Sequence, residues 1–406
     1  MEIETLDELD DHLASDEPLR GLRLQDLDLT SYGDRLAARG DLTGLVVLGG
    51  TVPVPVAETL LTRGAILFPG IADAPVDPWR GLYFPTELYA GLEHGYAETP
   101  DAKAYAWFVD ARLRADAYAT LVRAIHDDSV TDELDEFVHG RSVVGIMGGH
   151  ALQRGSAAYV GAAGLGHTLA EDGHLVATGG GPGAMEAANL GALCRTAAAL
   201  EEAVAAVASV PGFRPDVTAW AATALAARQG VVGDEPQAPS ETLGPSARSL
   251  GIPTWFYGHA PPNVFCDVLA KYFSNAIREE GLLARSNGGI VVLDGSAGTV
   301  QEIFQAVTPL YYAPDGAPLA PLVLVGQEYW TETVPVWPAL RALARGRRLE
   351  GAIHLVDSVD EVLPLLPPAC PRRARARSCA RPCASWPTAR RPSCPRRSRT
   401  HRSSRP

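Results

Sequence analysis

Residues 174–192 read HLVATGGGPGAMEAANLGA, and this stretch decides the fold of the chain. An apolar run of strand length leads into a cluster of glycines, and a segment predicted to be helical follows at once. The same order of strand, glycine turn and helix recurs at MGGHALQRGS (147–156) and LDGSAGTVQE (293–302). Apolar strands that alternate with helices predict a parallel sheet covered on both faces.

The alternation extends over residues 141–365, which we predict to form one Rossmann-like, doubly wound α/β domain. The predicted strands are SVVGIM, HLVATGG, IPTWFYG, GGIVVL and LVLVG. The predicted helices cover residues 156–171, 184–208 and 263–283. Between residues 211 and 249 the alternation breaks. That stretch contains a helix with Trp220 and is expected to be a long excursion or a mobile lid.

Residues 1–140 are predicted to be an accessory region of α/β and helical character. GLVVLGG (44–50) and AILFP (65–69) have the length of strands, and they flank VAETLLTRG, a short helix candidate. The stretch 101–125 has apolar residues at approximately helical spacing and is expected to pack against the main domain. No internal repeat is evident in the sequence.

The charge of the chain is distributed unevenly. The net charge is −13, but residues 371–406 carry twelve arginines and no acid, which leaves −25 on residues 1–370. The acidic body argues against a nucleic-acid surface. Residues 366–406 lack apolar periodicity and are rich in Arg, Pro and Ser, so we expect a disordered tail. Polyanion binding by this tail, through counterion release, is the alternative.

The chain is predicted to be a cytoplasmic protein without a membrane partner. It contains no run of about 18 apolar residues. Its acidic start, MEIETLDELDD, lacks the basic and apolar regions of a signal peptide. Its six cysteines have no metal-ligand spacing, and four of them lie in the tail, so reduced thiols are expected.

The three glycine turns predict a site for a phosphorylated small molecule. At the carboxyl edge of a doubly wound sheet, glycine lets backbone N–H groups approach an anion, and helix N-termini favour its negative charge. The candidate binding residues are Gly148, Gly149, Gly179, Gly180, Gly181, Gly183, Gly295, Ser296, Gly298 and Thr299. Glycines that merely permit tight strand-to-helix turns are the alternative.

Several phosphate-binding classes are disfavoured by the sequence. There is no G-x-x-x-x-G-K-[ST] P-loop, and the G-x-G-x-x-G fingerprint with an acid about 20 residues later is not met cleanly. A pyridoxal phosphate enzyme needs a Schiff-base lysine, and the two lysines, Lys103 and Lys271, lie outside the glycine turns. Lys271 is interpreted as a solvated or phosphate-facing cation.

The motif GGGPGAMEAANLGA, followed more than a hundred residues later by GSAGTVQE, resembles the GGG and PGGxGTxxE signatures of the Lonely Guy phosphoribohydrolases. These proteins are also labelled lysine decarboxylase-like. The resemblance covers residues 141–330, and the layout is similar to that of bacterial nucleotide 5′-monophosphate nucleosidases. It implies hydrolysis of the N-glycosidic bond of a nucleoside 5′-monophosphate to a free base and ribose 5-phosphate. It also implies no metal or other cofactor, and a homodimer or higher homo-oligomer.

The resemblance assigns catalytic roles to two residues. The last glutamate of PGGxGTxxE falls on Glu302, and the arginine of the preceding helix falls on Arg278. A carboxylate suits the positive charge that develops on the ribose and the positioning of a water, while an arginine holds substrate or offsets charge on the departing base. Two other interpretations stay open. Thr299 and Glu302 could form a T-x-x-E capping box, and Arg278 could be a solvated helix charge.

The third turn departs from the family pattern at Asp294, in place of proline, and at Ser296, in place of the second glycine. An acid would repel a phosphate that it faced, while the Ser296 hydroxyl could donate a compensating hydrogen bond. A catalytically weak nucleotide-binding or sensor protein is therefore one alternative, and an amino-acid decarboxylase is the other. By the same resemblance, Met185 and Glu186 line the base and ribose pocket. His150 is a weaker candidate for a phosphate or ribose contact.

Overall fold

The computed structural model describes residues 2–15, 17–68, 74–233, 246–258 and 260–369. Within these ranges it contains two parallel sheets, of four and seven strands, together with their helices. The predicted α/β class is therefore confirmed. Most of the predicted disordered tail, residues 370–406, lies outside the described residues.

The smaller sheet lies in the first 68 residues and has a hydrophobic core of its own. Its strands pair in sequence order, and every pair is parallel. The elements are β1 (Glu2–Ile3), α1 (Leu6–Ala14), β2 (Arg23–Gln25), α2 (Gly33–Ala38), β3 (Val46–Leu48), α3 (Val54–Thr62) and β4 (Ile66–Phe68). The predicted strands at GLVVLGG and AILFP and the helix between them are present. β1 and β2 were not predicted, because EI and RLQ are not apolar runs as VVL and ILF are.

Successive strand–helix units of the smaller sheet are nearly equal in length, with strands that begin at residues 2, 23, 46 and 66. Buried leucine or valine occupies the inward position of two neighbouring strands, at Leu24 and Val47. The sequence shows no repeat, because the residues between these positions differ in composition. The backbone regularity is therefore visible only in the structure.

Residues 74–138 connect the two sheets and pack against the larger one. Their helices are α4 (Pro85–Leu88), α5 (Pro100–Val109) and α6 (Ala117–Val138). The helical stretch predicted at 101–125 is therefore two helices, because Asp116 caps a new one by accepting from the Ala119 amide. Ala104 belongs to the core of the larger sheet, and Tyr105 and Phe108 pack against it, so the packing expected for residues 101–125 is observed. The boundary at residue 140 stays a prediction.

The larger sheet is built from seven parallel strands whose residues are almost all buried. They are β5 (Val143–Met147), β6 (Leu175–Thr178), β7 (Ser249–Gly251), β8 (Val268–Leu269), β9 (Gly289–Val292), β10 (Leu322–Val325) and β11 (Ile353–Val356). Their order is β11-β10-β9-β5-β6-β7-β8. β5, β6, β9 and β10 read as continuous apolar runs because helices cover both faces of the sheet. The strand predicted at IPTWFYG (252–258) is wrong: β7 ends at Gly251, and only Thr254 of that stretch forms an isolated bridge.

The helices of this region connect the strands, and short helical turns end several of the connections. They are α7 (Ala157–Glu171), α8 (Ala184–Leu193), α9 (Ala197–Val207), α10 (Val217–Val232), α11 (Asn275–Arg285), α12 (Ala297–Tyr311) and α13 (Trp337–Ala344). The short turns are Leu92–His94, Tyr96–Glu98, Tyr329–Thr333, Arg348–Gly351, Val359–Glu361 and Leu363–Leu365. The helix predicted at 184–208 is interrupted at Cys194, and Thr196 caps α9 by accepting from the Ala199 amide.

One helix prediction is wrong in its first half. Residues 263–274 are mostly extended and include β8, and helix α11 begins only at Asn275. The stretch begins at the fully buried Asn263, whose amide donates to the Gly180 carbonyl (2.8 Å) and whose side chain donates to the Gly181 carbonyl (3.1 Å). The amides of Asp267 and Ala270 then donate to the Ser249 and Gly251 carbonyls, so this stretch pairs with β7 and does not form the hydrogen bonds of a helix.

The sheet changes direction between β5 and β9. From β5 the chain moves through β6 and β7 to β8, and from β9 it moves the opposite way through β10 to β11. Right-handed crossovers then place α7 and α8 on one face and α11 and α12 on the other. A crevice forms outside the strand ends at such a reversal, and ligands of doubly wound sheets bind there.

None of the described helices is long and apolar enough to cross a membrane.

Candidate functional site

The three glycine turns meet at the carboxyl edge of the larger sheet, where β5, β6 and β9 end. The Gly149 amide donates to the Asp294 carbonyl (2.8 Å), and the Ala184 amide donates to the Gly149 carbonyl (3.1 Å). The first turn is thus bonded to both of the others. The predicted site glycines that these turns carry are Gly148, Gly149, Gly179, Gly180, Gly181, Gly183, Gly295 and Gly298.

Close approach of two turns explains the glycine at position 183. Gly183 has a φ of +74°, and a Cβ there would lie 2.5 Å from the Gly149 carbonyl oxygen. A larger residue would push the first and second turns apart. At this position the alternative therefore holds: glycine is required for the close packing of the two turns, independently of any ligand.

The third turn is open to solvent at the start of α12. Ser296 is the N-cap of this 15-residue helix, and its side chain makes no capping hydrogen bond. Ser296 and Gly298 are exposed, while Thr299 is buried. A Cβ at Gly298 would meet nothing within 4 Å, so packing does not require glycine there. The first amides of a helix have no partner inside it and can bind an anion.

The backbone of the third turn is anchored on two sides. Besides the bond from Gly149, the Tyr329 hydroxyl donates to the Gly295 carbonyl (2.8 Å). The Asp294 carboxylate lies on the β10 side of the turn, since a Cβ on Gly326 would be 3.2 Å from its Oδ1 atom. The residue that departs most from the family pattern is therefore next to the end of β10.

Arg278 is buried and points across the sheet edge. Only 8% of the residue is exposed. Its Nε donates to the Ile252 carbonyl (3.0 Å), and its Nη1 donates to Oε1 of Glu302 (3.3 Å). The interpretation of Arg278 as a solvated helix charge is therefore wrong, because a carbonyl and a carboxylate hold its guanidinium inside the protein.

Glu302 lies at the sixth position of α12 and contacts Arg278. Thr299 is the third residue of the helix and not its N-cap, so the capping box that these two residues could have formed is absent. The Glu302 side chain is 14% exposed. Burial raises the pKa of Glu302, the Arg278 charge lowers it, and the Glu279 charge raises it.

Gly179 makes room for Arg278 at the second turn. A Cβ at this position would lie 2.4 Å from Nη2 of Arg278 and 2.8 Å from the sulfur of Met185. Met185 is partly buried beside the turn. The structure therefore brings Arg278, Glu302, Met185 and the second turn together, as the sequence analysis expected, although the binding roles of these residues stay predictions.

Glu186, the other residue predicted to line the pocket, is committed to a second arginine. Nε of Arg154 lies 3.1 Å from each carboxylate oxygen of Glu186, and both side chains are 1% exposed. Burial raises the pKa of Glu186, while the charge of Arg154 lowers it. The Arg154 guanidinium also lies over the Trp220 ring, at 4.6 Å. Arg154 was not among the predicted site residues, because nothing in MGGHALQRGS distinguishes it from an ordinary surface arginine.

A pocket of about 290 Å³ lies next to this pair. Its walls come from the first two glycine turns, the start of α8, residues 211–214 and α10. The lining residues are His150, Ala151, Leu152, Gln153, Pro182, Gly183, Glu186, Pro211, Gly212, Phe213, Arg214 and Trp220. His150, a weaker candidate from sequence, is therefore at a cavity. Of the predicted lid, residues 217–232 form α10, and residues 234–245 lie outside the described residues.

Lys271 is not the solvated or phosphate-facing cation that its sequence context suggested. The residue is 2% exposed and forms an ion pair with the equally buried Asp101. Its ammonium also lies 5.0 Å from the centre of the Trp255 ring. Burial lowers the pKa of Lys271, and Asp101 raises it. In the described part of the chain, no group of three or more His, Cys, Asp or Glu side chains could hold a metal ion.

No protein-family model and no curated protein matches the chain. Among solved structures, the chain is similar to the X-ray structure of TM1055, a Northeast Structural Genomics Consortium target. The sequence identity is 18% over 55% of this chain and 97% of that chain, and the TM-score is 0.31.

Proposed function

We propose that this chain hydrolyses the N-glycosidic bond of a nucleoside 5′-monophosphate and releases a free base and ribose 5-phosphate. The observation that carries the proposal is the buried Arg278–Glu302 contact of 3.3 Å at the edge where three glycine turns meet. The homo-oligomer and the cytoplasmic location implied by the sequence stay predictions.

The start of α12 and Glu302 are spaced to hold two parts of one nucleotide. The turn from Gly295 to Thr299, which is exposed at residues 296–298, would receive the phosphate through backbone amides and the positive end of the helix dipole. Glu302 follows Ala297 by five residues, which corresponds to about 8 Å along the helix axis. A phosphate at the helix start therefore leaves the ribose within reach of the carboxylate.

Cleavage of the N-glycosidic bond requires a proton-accepting side chain and a positively charged side chain close together in a buried site. As the C1′–N bond breaks, positive charge develops on the ribose and negative charge on the base. Water adds to C1′ and gives a proton to Glu302, while the electron pair of the C1′–N bond leaves with the base nitrogen. That nitrogen takes up a proton from solvent, and Glu302 returns its own proton to solvent. Glu302 stabilises the ribose charge and orients the water. Arg278 offsets charge on the base and fixes one oxygen of Glu302 by hydrogen bonding.

Asp294 favours a second candidate, a nucleotide-binding protein that turns over weakly. Its carboxylate lies beside the third turn, and an acid close to a bound phosphate weakens binding by charge repulsion. Only turnover separates the two candidates.

The decisive experiment is incubation of the purified chain with AMP, GMP, CMP and UMP, followed by chromatography of the free bases. Adenosine serves as the matched control, because it has the scissile bond and lacks the phosphate. We expect base release from at least one monophosphate and, for adenosine, a value of kcat/KM lower by on the order of 100-fold, from lost charge-assisted hydrogen bonds.

Two outcomes would contradict the proposal. Saturable nucleotide binding without base release from any monophosphate would favour the sensor. Equal hydrolysis of AMP and adenosine would remove the reason for assigning the phosphate to the start of α12.

A further inference from the structure

Glu279 is a second buried carboxylate at the candidate site, and the proposed hydrolysis gives it no role. It follows Arg278 on α11, and its side chain is 7% exposed. Its Oε1 lies 4.0 Å from Nη1 of Arg278, the same nitrogen that contacts Glu302 at 3.3 Å. One guanidinium nitrogen thus faces two carboxylates.

Neutral side chains hold the Glu279 carboxylate in place. Asn275 Nδ2 donates to Oε1 (2.8 Å), and the Tyr257 hydroxyl donates to the same oxygen (3.4 Å). Gln301 Nε2 donates to Oε2 (2.8 Å). An ionised carboxylate accepts hydrogen bonds only, and these uncharged donors match it without cancelling its charge.

Glu302 is held much less completely. Among the described contacts, Arg278 engages its Oε1 atom, and no hydrogen bond to its Oε2 atom is present. The charged groups that act on Glu302 are Arg278 and Glu279, both from α11. The two carboxylates therefore share one arginine, and only one of them has an oxygen left for a ligand.

The geometry points to Glu279 as a positioning residue for the proposed hydrolysis: its fixed negative charge shares Arg278 with Glu302 and keeps Glu302 the stronger base. The inference rests on the proposed function. It explains why three side chains donate hydrogen bonds to Glu279, while Oε2 of Glu302 accepts none among the described contacts. A nearby like charge disfavours ionisation of a carboxylate, whereas an unshared arginine favours it. Without Glu279, Arg278 would act on Glu302 alone and weaken its ability to take a proton from water.

Direct titration of Glu302 tests this inference. The side-chain carboxyl carbons are followed by carbon-13 NMR in protein labelled in glutamate, and the Glu302 signal is assigned by its loss in Glu302→Gln. Glu279→Gln should lower the Glu302 titration midpoint by about one pH unit. The matched control is Glu280→Gln, which removes a charge from the exposed neighbouring residue and should leave the midpoint unchanged.

The outcomes separate this inference from the proposed function. An unchanged midpoint in Glu279→Gln overturns the inference, whether or not the protein hydrolyses nucleotides. A lowered midpoint in a protein without turnover supports the charge coupling and removes the hydrolysis. Where both hold, the acid limb of the kcat/KM profile moves down with the midpoint. A purely structural role would instead reduce turnover at every pH without moving that limb.

A second pair of variants keeps the test open if Glu279→Gln does not fold. Gln301 is exposed and already donates to Glu279. In Gln301→Lys, an ammonium group takes that place and offsets the Glu279 charge, so the Glu302 midpoint should fall. Gln301→Met removes the donor without adding charge and should shift the midpoint much less. Equal midpoints in these two variants would overturn the inference.

Discussion

Two arginine–glutamate pairs lie on opposite faces of the larger sheet. They differ in how many carboxylate oxygens the arginine engages and in how deeply the side chains are buried. In the Arg154–Glu186 pair, both carboxylate oxygens lie 3.1 Å from one Nε atom, and both side chains are 1% exposed. In the Arg278–Glu302 pair, one contact of 3.3 Å joins side chains that are 9% and 14% exposed. The same two residue types thus form one closed pair and one open pair.

The difference indicates separate roles for the two pairs. In a fully buried bidentate pair, each charged group is paired with the other and no carboxylate oxygen is left for a ligand. The Arg154–Glu186 pair therefore holds the first and second turns together. A pair with one contact keeps a carboxylate oxygen available at the crevice. The burial of a charged pair therefore does not by itself mark a reactive site, and the number of unengaged atoms is more informative.

The largest expected effect comes from removing the charge of the open pair. Glu302→Gln keeps an oxygen that can accept from Arg278, so the fold and nucleotide binding should be retained. Base release should fall by roughly 10²- to 10⁴-fold, the usual contribution of a positioned acid or base. Thermal melting, AMP binding and base release are measured on one preparation. Unchanged turnover would mean that Glu302 has no catalytic role.

Breaking the closed pair should affect stability and not primarily chemistry. Glu186→Gln leaves the Arg154 charge buried without its partner, which should cost about 3–5 kcal/mol of unfolding free energy. Urea denaturation measures this loss, and Glu302→Gln is the control, with an expected change within about 1 kcal/mol. If the two variants lose equal stability, the distinction between a closed and an open pair is wrong.

The pH dependence of turnover sharpens the comparison for Glu302. Burial raises the pKa of Glu302 above its ordinary value of 4.5. The ionised form of Glu302 is the one that accepts a proton. The value of kcat/KM should therefore be at its maximum above that raised pKa and should fall as the pH drops through it. A pH profile of base release checks this sign. An acid limb centred at or below 4.5 would contradict it.

The smallest effect is expected from the arginine-rich tail. Both pairs lie within the described residues, and the tail has no periodic apolar face to contribute to a core. Deletion of residues 371–406 should therefore leave the unfolding free energy within about 0.5 kcal/mol and turnover nearly unchanged. Loss of soluble protein on truncation would show that the tail contributes to folding.

Local pattern was enough to predict four of the seven strands of the larger sheet and the three glycine turns, but it misplaced β7 and did not predict β8 or β11. Continuous apolar runs fix β5, β6, β9 and β10, because strands covered on both faces need apolar side chains at every position. The N-cap at Ser156 also agrees with the helix start predicted there. The pattern failed at residues 263–274, where hydrogen bonds to carbonyls outside the segment, such as those of Gly180 and Gly251, decide the backbone.

The sequence by itself determined that three glycine turns lie at one edge of a parallel sheet, since strand direction places the carboxyl ends together. Only the tertiary structure decided which charges meet there. Arg154 pairs with Glu186, 32 residues away in the sequence, and Arg278 pairs with Glu302, 24 residues away. Lys271, a candidate surface cation, is buried against Asp101. Such partners depend on how helices pack over the sheet, and no local spacing encodes that packing.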